Sequence, residues 1–365
     1  MNVGIIGLKS SGKTSLFNAL TRGTAETSAY GGRSKDVNLG MISVPDQRFD
    51  WLVEHYHPRK NVPATIEFVD GMAELDHGGH KGQLGKDFFS TVRSSDVLVA
   101  VVRAFEDPTV PHPLETVNPE RDARTIASEI LLADLQLVER RLERLEKGLK
   151  GGRGKAPAEV ARQAELLTRI QAALEEEKPV SRLGLTPEEK ADLVELQFLS
   201  DKTLVLVANI GEGALGTPGA TAGLEPFAKE GGYPLVSLCA KAEMEVAQLP
   251  EDEEAEFLAA LGIDEPGRNH LLRLCYQELG LISFFTVGED EVKAWTLRRG
   301  QNAVEAAGKI HSDLARGFIR AEVIAYDALK ESGNWNAAKE KGHFRLEGKE
   351  YIVQDGDCLN IRFSV

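Results

Sequence analysis

Eight residues near the start of the chain have the types and the spacing of a phosphate-binding loop. The run Gly7-Leu8-Lys9-Ser10-Ser11-Gly12-Lys13-Thr14 fits the pattern G-x-x-x-x-G-K-[ST] at every fixed position. Glycines let the backbone of such a loop curl until successive N–H groups face phosphate oxygens, and the helix that follows adds the positive end of its dipole. The sequence therefore predicts a nucleoside triphosphate site formed by Gly7, Lys9, Ser10, Ser11, Gly12, Lys13, Thr14 and Ser15.

Two side chains of this loop point to chemistry beyond binding. Lys13 is predicted to neutralise the β- and γ-phosphates, and the Thr14 hydroxyl is predicted to ligate Mg²⁺. In this class of enzyme water attacks the γ-phosphate in line, with no covalent intermediate, while cations stabilise the developing charge. Lys13 is therefore a predicted catalytic residue, and Mg²⁺ is the predicted cofactor.

The segment "KTLVLVANIGE" contains a candidate motif for base recognition. Its continuous apolar run is typical of a strand buried on both faces, and it ends in Asn209-Ile210-Gly211-Glu212. A guanine reader there is normally Asn-Lys-x-Asp, and the Asp carboxylate accepts from the ring N–H and the 2-amino group together. Glu212 is one methylene longer than Asp, and Ile210 replaces the Lys whose stem packs on the base. This variant weakens guanine selection without establishing adenine selection.

A further strand, "YPLVSLCAK", ends in a second candidate for the base pocket. In NTPases of this class the loop after the corresponding strand covers the base with its backbone amides. The sequence therefore adds Cys239, Ala240 and Lys241 to Asn209 and Glu212 as predicted contacts of the nucleotide.

The elements that must position these residues are read from the apolar spacing. "NVGIIG" before the loop predicts a short strand, and "TSLFNALTRG" after it predicts a helix. Between the strands "DVLVAVVRAF" and "TLVLVAN", apolar residues recur every three or four positions in two long runs that "GGRGKAPAE" separates. These runs predict two helices joined as an antiparallel hairpin. The strand-like "YIVQDGDCLNIRFSV" and a helix around 302–316 predict a small mixed unit at the C-terminus.

Composition limits the kind of protein this is. The net charge of −14 argues against coating nucleic acid through a global positive field, and no DNA partner is expected. The sequence has no run of about 18 consecutive apolar residues, so no membrane span is predicted. The N-terminus lacks the basic flank of a signal peptide. The three cysteines are too scattered for a disulfide framework or a zinc site. These features favour a cytoplasmic protein without a membrane partner.

The order of these motifs is similar to that of one family. The P-loop, "VPATIEFVD", Asn-x-x-Glu, "CAKAEMEVAQL" and the C-terminal "EVKAWTLRRGQNAVEAAGKIHSDLARGFIRAEVIAYDAL" resemble the YchF subfamily of Obg-type NTPases, the Obg-like ATPases. The resemblance implies an α/β fold with a P-loop NTPase domain at 1–118 and 200–279. It also implies an inserted α-helical hairpin (coiled-coil) domain at 119–199 and a C-terminal β-grasp TGS domain at 280–365. A preference for ATP and an association with the ribosome follow from the same resemblance.

The sequence departs from the family in the segments that surround the γ-phosphate. The family's P-loop usually carries Pro and Asn where this chain has Lys9 and Ser10. The family's Thr that completes the Mg²⁺ shell corresponds to Ser34 here. Arg33 beside it is the nearest, weak candidate for an arginine finger.

The third departure is a broken D-x-x-G motif. "TIEFVD" ends in Asp70, which is predicted to hold Mg²⁺ through a water, but Gly71-Met72-Ala73-Glu74 follows. Ala73 replaces the glycine whose N–H reads the γ-phosphate, and Glu74 replaces an apolar residue. Glu74 is read as a bystander, as a general base, or as a group that repels the γ-phosphate. Ala73 and Glu74 join Lys13 as predicted catalytic positions.

One basic segment is a candidate surface for RNA. Lys147, Lys150, Arg153 and Lys155 lie at the predicted tip of the helical hairpin with no acid among them. The alternatives are a solubilising helix end and a finger that contacts rRNA phosphates. The segment "KEKGHFRLEGK" near the C-terminus is a second candidate.

The sequence as a whole predicts a purine-nucleotide P-loop NTPase that hydrolyses slowly and acts as a switch on the ribosome. ATP is favoured and GTP remains an alternative. A second alternative is a nucleotide-binding scaffold that has lost hydrolysis, which the broken D-x-x-G motif favours.

Overall fold

The computed structural model describes residues 2–23, 37–71, 92–150, 157–217, 220–221, 223–260, 263 and 265–364. The strands are β1 (Asn2–Ile6), β2 (Val37–Ser43), β3 (Lys60–Val62), β4 (Thr65–Gly71), β5 (Val97–Ala104), β6 (Thr203–Ile210), β7 (Leu235–Leu238), β8 (Leu281–Val287), β9 (Glu291–Arg298), β10 (Phe318–Ala325), β11 (Arg345–Glu347) and β12 (Asp357–Phe363). The helices are α1 (Lys13–Thr21), α2 (Gln47–Tyr56), α3 (Pro119–Lys150), α4 (Pro157–Glu175), α5 (Pro187–Leu193), α6 (Glu225–Gly231), α7 (Ala240–Val246), α8 (Glu251–Ala260), α9 (Gly267–Glu278), α10 (Ala303–Ile310), α11 (Ser312–Arg316), α12 (Tyr326–Ser332) and α13 (Trp335–Glu340).

The first sheet has the strand order β2-β4-β1-β5-β6-β7, and its central strands run parallel. Strands β5 and β6 are buried along nearly their whole length, as their continuous apolar sequences predict. Arg103 on β5 stands opposite Asn209 on β6. Because the carboxyl ends of parallel strands lie at the same edge of a sheet, the motifs that follow β1, β6 and β7 lie at that edge, as does Asp70 near the end of β4.

The two helices predicted between β5 and β6 are present as α3 and α4. They share an apolar cluster that contains Val138, Leu167 and Ile170. Their three-and-four spacing puts these residues on the facing sides of the helices. The predicted helical hairpin is therefore confirmed.

The base of the hairpin is fixed by a buried carboxylate. Asp134 on α3 is fully buried and accepts a hydrogen bond of 2.9 Å from Arg93. It also accepts from the backbone N–H groups of Leu199 and Ser200, at 3.1 and 2.8 Å. These contacts join α3 to the segments that precede β5 and β6.

The second sheet has the order β11-β10-β12-β8-β9-β3 and is mixed. Helix α10 covers one face, with Ala303, Ala306 and Ala307 fully buried. A capping box at Asn302 and Glu305 starts this helix. The predicted mixed α/β unit at the C-terminus is present, and its assignment as a TGS domain stays a prediction.

Contacts divide the chain into two compact units. The first comprises residues 1–40 and 67–268, and the second comprises 41–66 and 269–365. Within the second unit, Arg48 on α2 pairs with Asp46 and Asp355, and its guanidinium lies 5.5 Å from the centre of the Phe285 ring. Residues 41–66 are thus held by the C-terminal sheet, although the sequence analysis counted them with the NTPase domain. The boundaries predicted there for three domains stay a prediction.

Candidate nucleotide-binding site

The loop between β1 and α1 has the backbone shape that its sequence predicts. Gly12 has a φ of 98°, which favours glycine, and a Cβ built there would lie 2.1 Å from Nδ2 of Asn209. A Cβ on Gly7 would lie 2.5 Å from the carbonyl oxygen of Val101. Both glycines are therefore required for close packing of the loop on β5 and β6. Helix α1 begins directly at Lys13, and no side chain caps its first N–H groups.

Lys13 lies inside the curve of the loop. Its side chain is buried, and Nζ donates to the carbonyl oxygens of Gly7 at 3.1 Å and Leu8 at 2.8 Å. These neutral acceptors hold the ammonium over the loop. Phosphate oxygens are stronger acceptors because a charge-assisted hydrogen bond is roughly twice as strong as a neutral one. The geometry can therefore present a buried cation to a phosphate.

Four hydroxyl residues and one further lysine complete the loop. Ser11 is buried, and within the described residues its Oγ makes no hydrogen bond. A buried hydroxyl without a partner is costly, and a phosphate oxygen would satisfy it. Lys9 and Thr14 are exposed, and Ser10 and Ser15 are half-buried. Ser10 has a φ of 59°, in the left-handed region that a non-glycine residue seldom occupies.

Asp70 ends the buried part of β4 beside this loop. It is 1% exposed, and its Cα is in register with that of Ile5 on β1. A carboxylate and the Thr14 hydroxyl are hard oxygen donors of the kind that Mg²⁺ prefers. Among the described residues, no three His, Cys, Asp or Glu side chains form a metal cluster.

Asn209 joins the two halves of the site. Its Nδ2 donates to the carbonyl oxygen of Ser11 at 2.8 Å, and its Oδ1 accepts from the N–H of Ala240 at 2.9 Å. The side chain is 4% exposed. Because both ends of its amide are occupied by backbone groups, Asn209 positions the predicted phosphate-binding loop against the start of α7.

The residues that follow Asn209 take different places. Ile210 is 6% exposed and lies in the hydrophobic core. It therefore offers little surface to a base. In the guanine-reading motif, the Lys at this position packs its stem on the base. Glu212 starts a short 3₁₀ turn, and its Oε1 lies 2.8 Å from Nζ of Lys241. This hydrogen bond, more than any other contact, raises the pKa of Lys241.

The three residues after β7, Cys239, Ala240 and Lys241, lie in different environments. Cys239 is 3% exposed, and burial raises the pKa of its thiol. Ala240 is fully buried and supplies the N–H that Asn209 accepts. Lys241 is exposed and pairs with Glu212, which lies in the turn after β6. Asn209, Glu212 and the tripeptide, which the sequence predicted as one site, are therefore brought together.

The loop after β5 borders this region, and sequence reasoning missed it. Arg103 is 2% exposed and donates to the carbonyl oxygens of Phe105 and Val110 at 3.1 and 2.9 Å. Farther along the loop, His112 lies 2.9 Å from Asp122 on α3, and both side chains are buried. Arg103 lies beside Asn209 because β5 and β6 pair in the sheet. A pattern of neighbouring residues could not have predicted this proximity.

Several predicted residues lie outside the part of the chain that the structure describes. They are Ser34 with its neighbour Arg33, the switch residues Ala73 and Glu74, and Arg153 and Lys155 of the hairpin tip. Lys147 at the tip is exposed and lies 3.6 Å from Glu143. Lys150 is the last residue of α3. Their predicted roles stay predictions.

A separate cavity of about 260 Å³ lies between α3, β6 and α6. Its cations are engaged by the protein itself. Arg124 pairs with Glu230, Arg182 donates to the carbonyl oxygen of Glu230, and Lys202 donates to that of Ser95. The three cations that line the cavity therefore have partners within the protein.

Two models of known protein families match this chain. Residues 281–364 match the model of the family YchF-GTPase_C, which is described as a protein of unknown function. Residues 2–134 match the family MMR_HSR1, described as a 50S ribosome-binding GTPase. None of the helices within the described residues has the length and apolar character that a membrane crossing needs.

Relatives match along their whole length. The ribosome-binding ATPase YchF of Haemophilus influenzae is 42% identical over 364 residues, which are 99% of each chain. That of Bacillus subtilis is 40% identical over 369 residues, covering both chains fully. The solved structure of the Schizosaccharomyces pombe YchF GTPase superposes with a TM-score of 0.82 at 30% identity, over 99% of this chain and 97% of that one. A GTP binding protein from Pyrococcus horikoshii shares the fold, with a TM-score of 0.58 at 18% identity.

Proposed function

The chain belongs to the YchF family of P-loop NTPases, and from this premise we propose that it is a Mg²⁺-dependent ATPase that acts as a slow switch on the ribosome. The observation that carries the proposal is the position of Lys13. Its ammonium is buried inside a glycine loop whose curvature Gly7 and Gly12 make possible. A buried cation inside such a loop is placed to bind a polyphosphate, because charge-assisted hydrogen bonds to phosphate oxygens are strong.

The residues divide the work of γ-phosphate hydrolysis. The loop amides and Lys13 bind the phosphates and hold the triphosphate in place, which aligns it for attack by water. Lys13 also offsets the negative charge that grows on the γ-phosphate oxygens, and such electrostatic stabilisation is usually the largest catalytic contribution. Thr14 and Asp70 would hold Mg²⁺, and Ser34 would complete its shell. When bound, Mg²⁺ neutralises charge on the β- and γ-oxygens.

Slow turnover is part of the proposal. Lys13, Thr14 and Asp70 would carry the charge stabilisation, but no residue is assigned to orient the attacking water, and Ala73 and Glu74 replace the family's glycine and apolar residue. Without an oriented water the charged groups accelerate the reaction only in part. A partner that positions the attacking water would then control the rate of hydrolysis, as the partners of nucleotide switches do.

The partner is proposed to be the ribosome. The relatives from Haemophilus influenzae and Bacillus subtilis are named ribosome-binding ATPases, and the N-terminal family is described as a 50S ribosome-binding GTPase. In a chain with a net charge of −14, the basic tip around Lys147 is the clearest candidate for contact with rRNA phosphates. Work on ribosomes would place the protein in the cytoplasm.

A GTP-specific switch is the first competing function, since the Schizosaccharomyces pombe relative is called a GTPase. The proposal for ATP depends on Glu212, which stands where a guanine reader has Asp. A scaffold that binds nucleotide without hydrolysing it is the second, and the sequence Gly71-Met72-Ala73-Glu74 favours it.

One set of measurements tests the proposal against both alternatives. Calorimetry on the nucleotide-free protein gives dissociation constants for ATP and GTP, and phosphate release is followed at matched Mg²⁺ with and without ribosomes. We expect ATP to bind at least as tightly as GTP and ribosomes to accelerate phosphate release. Tenfold tighter binding of GTP would establish the GTP switch. Binding without turnover in the presence of ribosomes would establish the scaffold.

A further inference from the structure

The inference concerns how the purine base is chosen, and it rests on the proposed function. Two of the side chains at the end of β6 already have contacts within the protein. Asn209 is occupied by the backbone of Ser11 and Ala240, and Ile210 is buried in the core. Glu212 is therefore the polar side chain of the Asn-x-x-Glu segment that is left to act on a base.

Glu212 is not presented as a bare carboxylate. Its Oε1 lies 2.8 Å from Nζ of Lys241, and a Lys ammonium carries three donors and no acceptor. To read guanine, a carboxylate must accept from the ring N–H and the 2-amino group with its two oxygens at once. A carboxylate that already accepts from an ammonium has one oxygen engaged and its charge partly neutralised. Adenine has neither donor, so the same pairing leaves its binding unaffected.

We propose that Lys241 is a positioning residue for base selection: by pairing with Glu212, it keeps the carboxylate from the guanine edge and so disfavours GTP relative to ATP. The two partners lie on different elements. Glu212 begins the 3₁₀ turn that follows β6, and Lys241 is the second residue of α7, which follows β7. Asn209 joins these elements, because it lies near the end of β6 and accepts a hydrogen bond from Ala240, the neighbour of Lys241.

The expected size of the effect follows from exposure. The side chains of Lys241 and Glu212 are 66% and 55% exposed, and ion pairs in water are weak and screened by salt. Removal of the pair is therefore expected to change the ratio of GTP to ATP affinity by about two- to fivefold. Added salt should also raise the affinity for GTP relative to ATP, because it screens the ion pair. The effect of salt on phosphate binding is the same for both nucleotides and cancels in the ratio.

The experiment measures the affinities of ATP, GTP and ITP for the full chain and its variants. Lys241→Met is expected to raise GTP affinity relative to ATP, and to raise ITP affinity less, because inosine lacks the 2-amino group. Lys241→Arg keeps a cation and is expected to keep the wild-type ratio. In a Glu212→Gln background, Lys241→Met is expected to leave the ratio unchanged. Lys178→Met is the matched control, since Lys178 is also an exposed lysine paired with a glutamate, at 2.7 Å from Glu176.

Three results would overturn the inference. One is an unchanged ratio in Lys241→Met. Another is an equal change for ATP, GTP and ITP, which would assign Lys241 to the phosphates or to general packing. The third is a gain for GTP that persists with Glu212→Gln. A wild-type protein that binds neither ATP nor GTP would overturn the proposed function as well, and that outcome is distinct from binding of both with a fixed ratio.

Discussion

The side-chain amide of Asn209 donates a hydrogen bond of 2.8 Å to the backbone carbonyl of Ser11, across 198 residues of sequence. The same side chain accepts from the N–H of Ala240 at 2.9 Å. One residue thus fixes the predicted phosphate-binding loop to the first turn of α7. Gly12 permits the approach, because a side chain there would collide with the amide of Asn209.

Asn209→Ala is predicted to weaken ATP and GTP to a similar extent. The substitution leaves the buried Ala240 N–H and the Ser11 carbonyl without partners, which costs about 1–3 kcal/mol for each group. A loss of roughly tenfold or more in both affinities is expected by calorimetry. Asn209→Asp is the comparison, since it keeps the acceptor for Ala240 and loses only the donor. A loss confined to one nucleotide would show that Asn209 reads the base directly.

Lys13→Ala is predicted to abolish tight binding of triphosphate. Lys13 is the cation that the loop holds among its own carbonyls, and a charge-assisted hydrogen bond contributes about 1.5–3 kcal/mol. Calorimetry with ATP and ADP measures the loss, which should be larger for ATP. Lys178→Ala is the control, because Lys178 is an exposed lysine that lies outside the loop. Unchanged ATP affinity in Lys13→Ala would mean that the loop is not the site.

Reversal of the charges at the hairpin tip is predicted to weaken ribosome association. A variant with Lys147, Lys150, Arg153 and Lys155 changed to Glu should co-sediment less with ribosomes and show a flatter salt dependence, because fewer phosphate counterions are released. Nucleotide affinity should not change. Reversal of Lys339, Lys341 and Lys349 tests the second basic segment in parallel. Equal co-sedimentation of the tip variant and the wild type would assign the tip to solubility.

Substitution of Glu74 is predicted to leave both phosphate release and nucleotide affinity unchanged, as expected of a bystander. Glu74→Ala and Glu74→Leu separate the three interpretations. A general base has to lie within hydrogen-bond reach of the attacking water, so both variants would then lose phosphate release while still binding ATP. A repelling carboxylate would instead make both variants bind ATP more tightly relative to ADP. Single-turnover phosphate release and calorimetry measure the two quantities.

Asp134→Ala is predicted to lower the free energy of unfolding by about 3–5 kcal/mol. The carboxylate is fully buried and holds Arg93 together with two backbone N–H groups, and removing one partner of a buried ion pair leaves the rest uncompensated. Denaturant unfolding measures the change. Glu143→Ala on the same helix is the control and should change stability by no more than about 0.5 kcal/mol, because Glu143 is exposed. Similar stabilities of the two variants would contradict the anchoring role of Asp134.

The sequence alone was sufficient for the local parts of this protein. The P-loop, the buried strands β5 and β6 and the helices α3 and α4 were predicted because each is encoded by residues that are close together in the chain. Loop geometry follows from the glycines at fixed spacing, and burial follows from the apolar period. The resemblance to the YchF family rests on the order of the same motifs, and the comparisons confirm it.

Only the tertiary structure decided how these parts act on one another. It occupied both ends of Asn209 with backbone groups, placed Ile210 in the core and paired Glu212 with Lys241. It also grouped residues 41–66 with the C-terminal sheet through Arg48. No pattern of neighbouring residues encodes such pairings. The free energy of a hydrogen bond or ion pair depends on which partner the fold brings within about 3 Å, and that partner can stand 198 residues away.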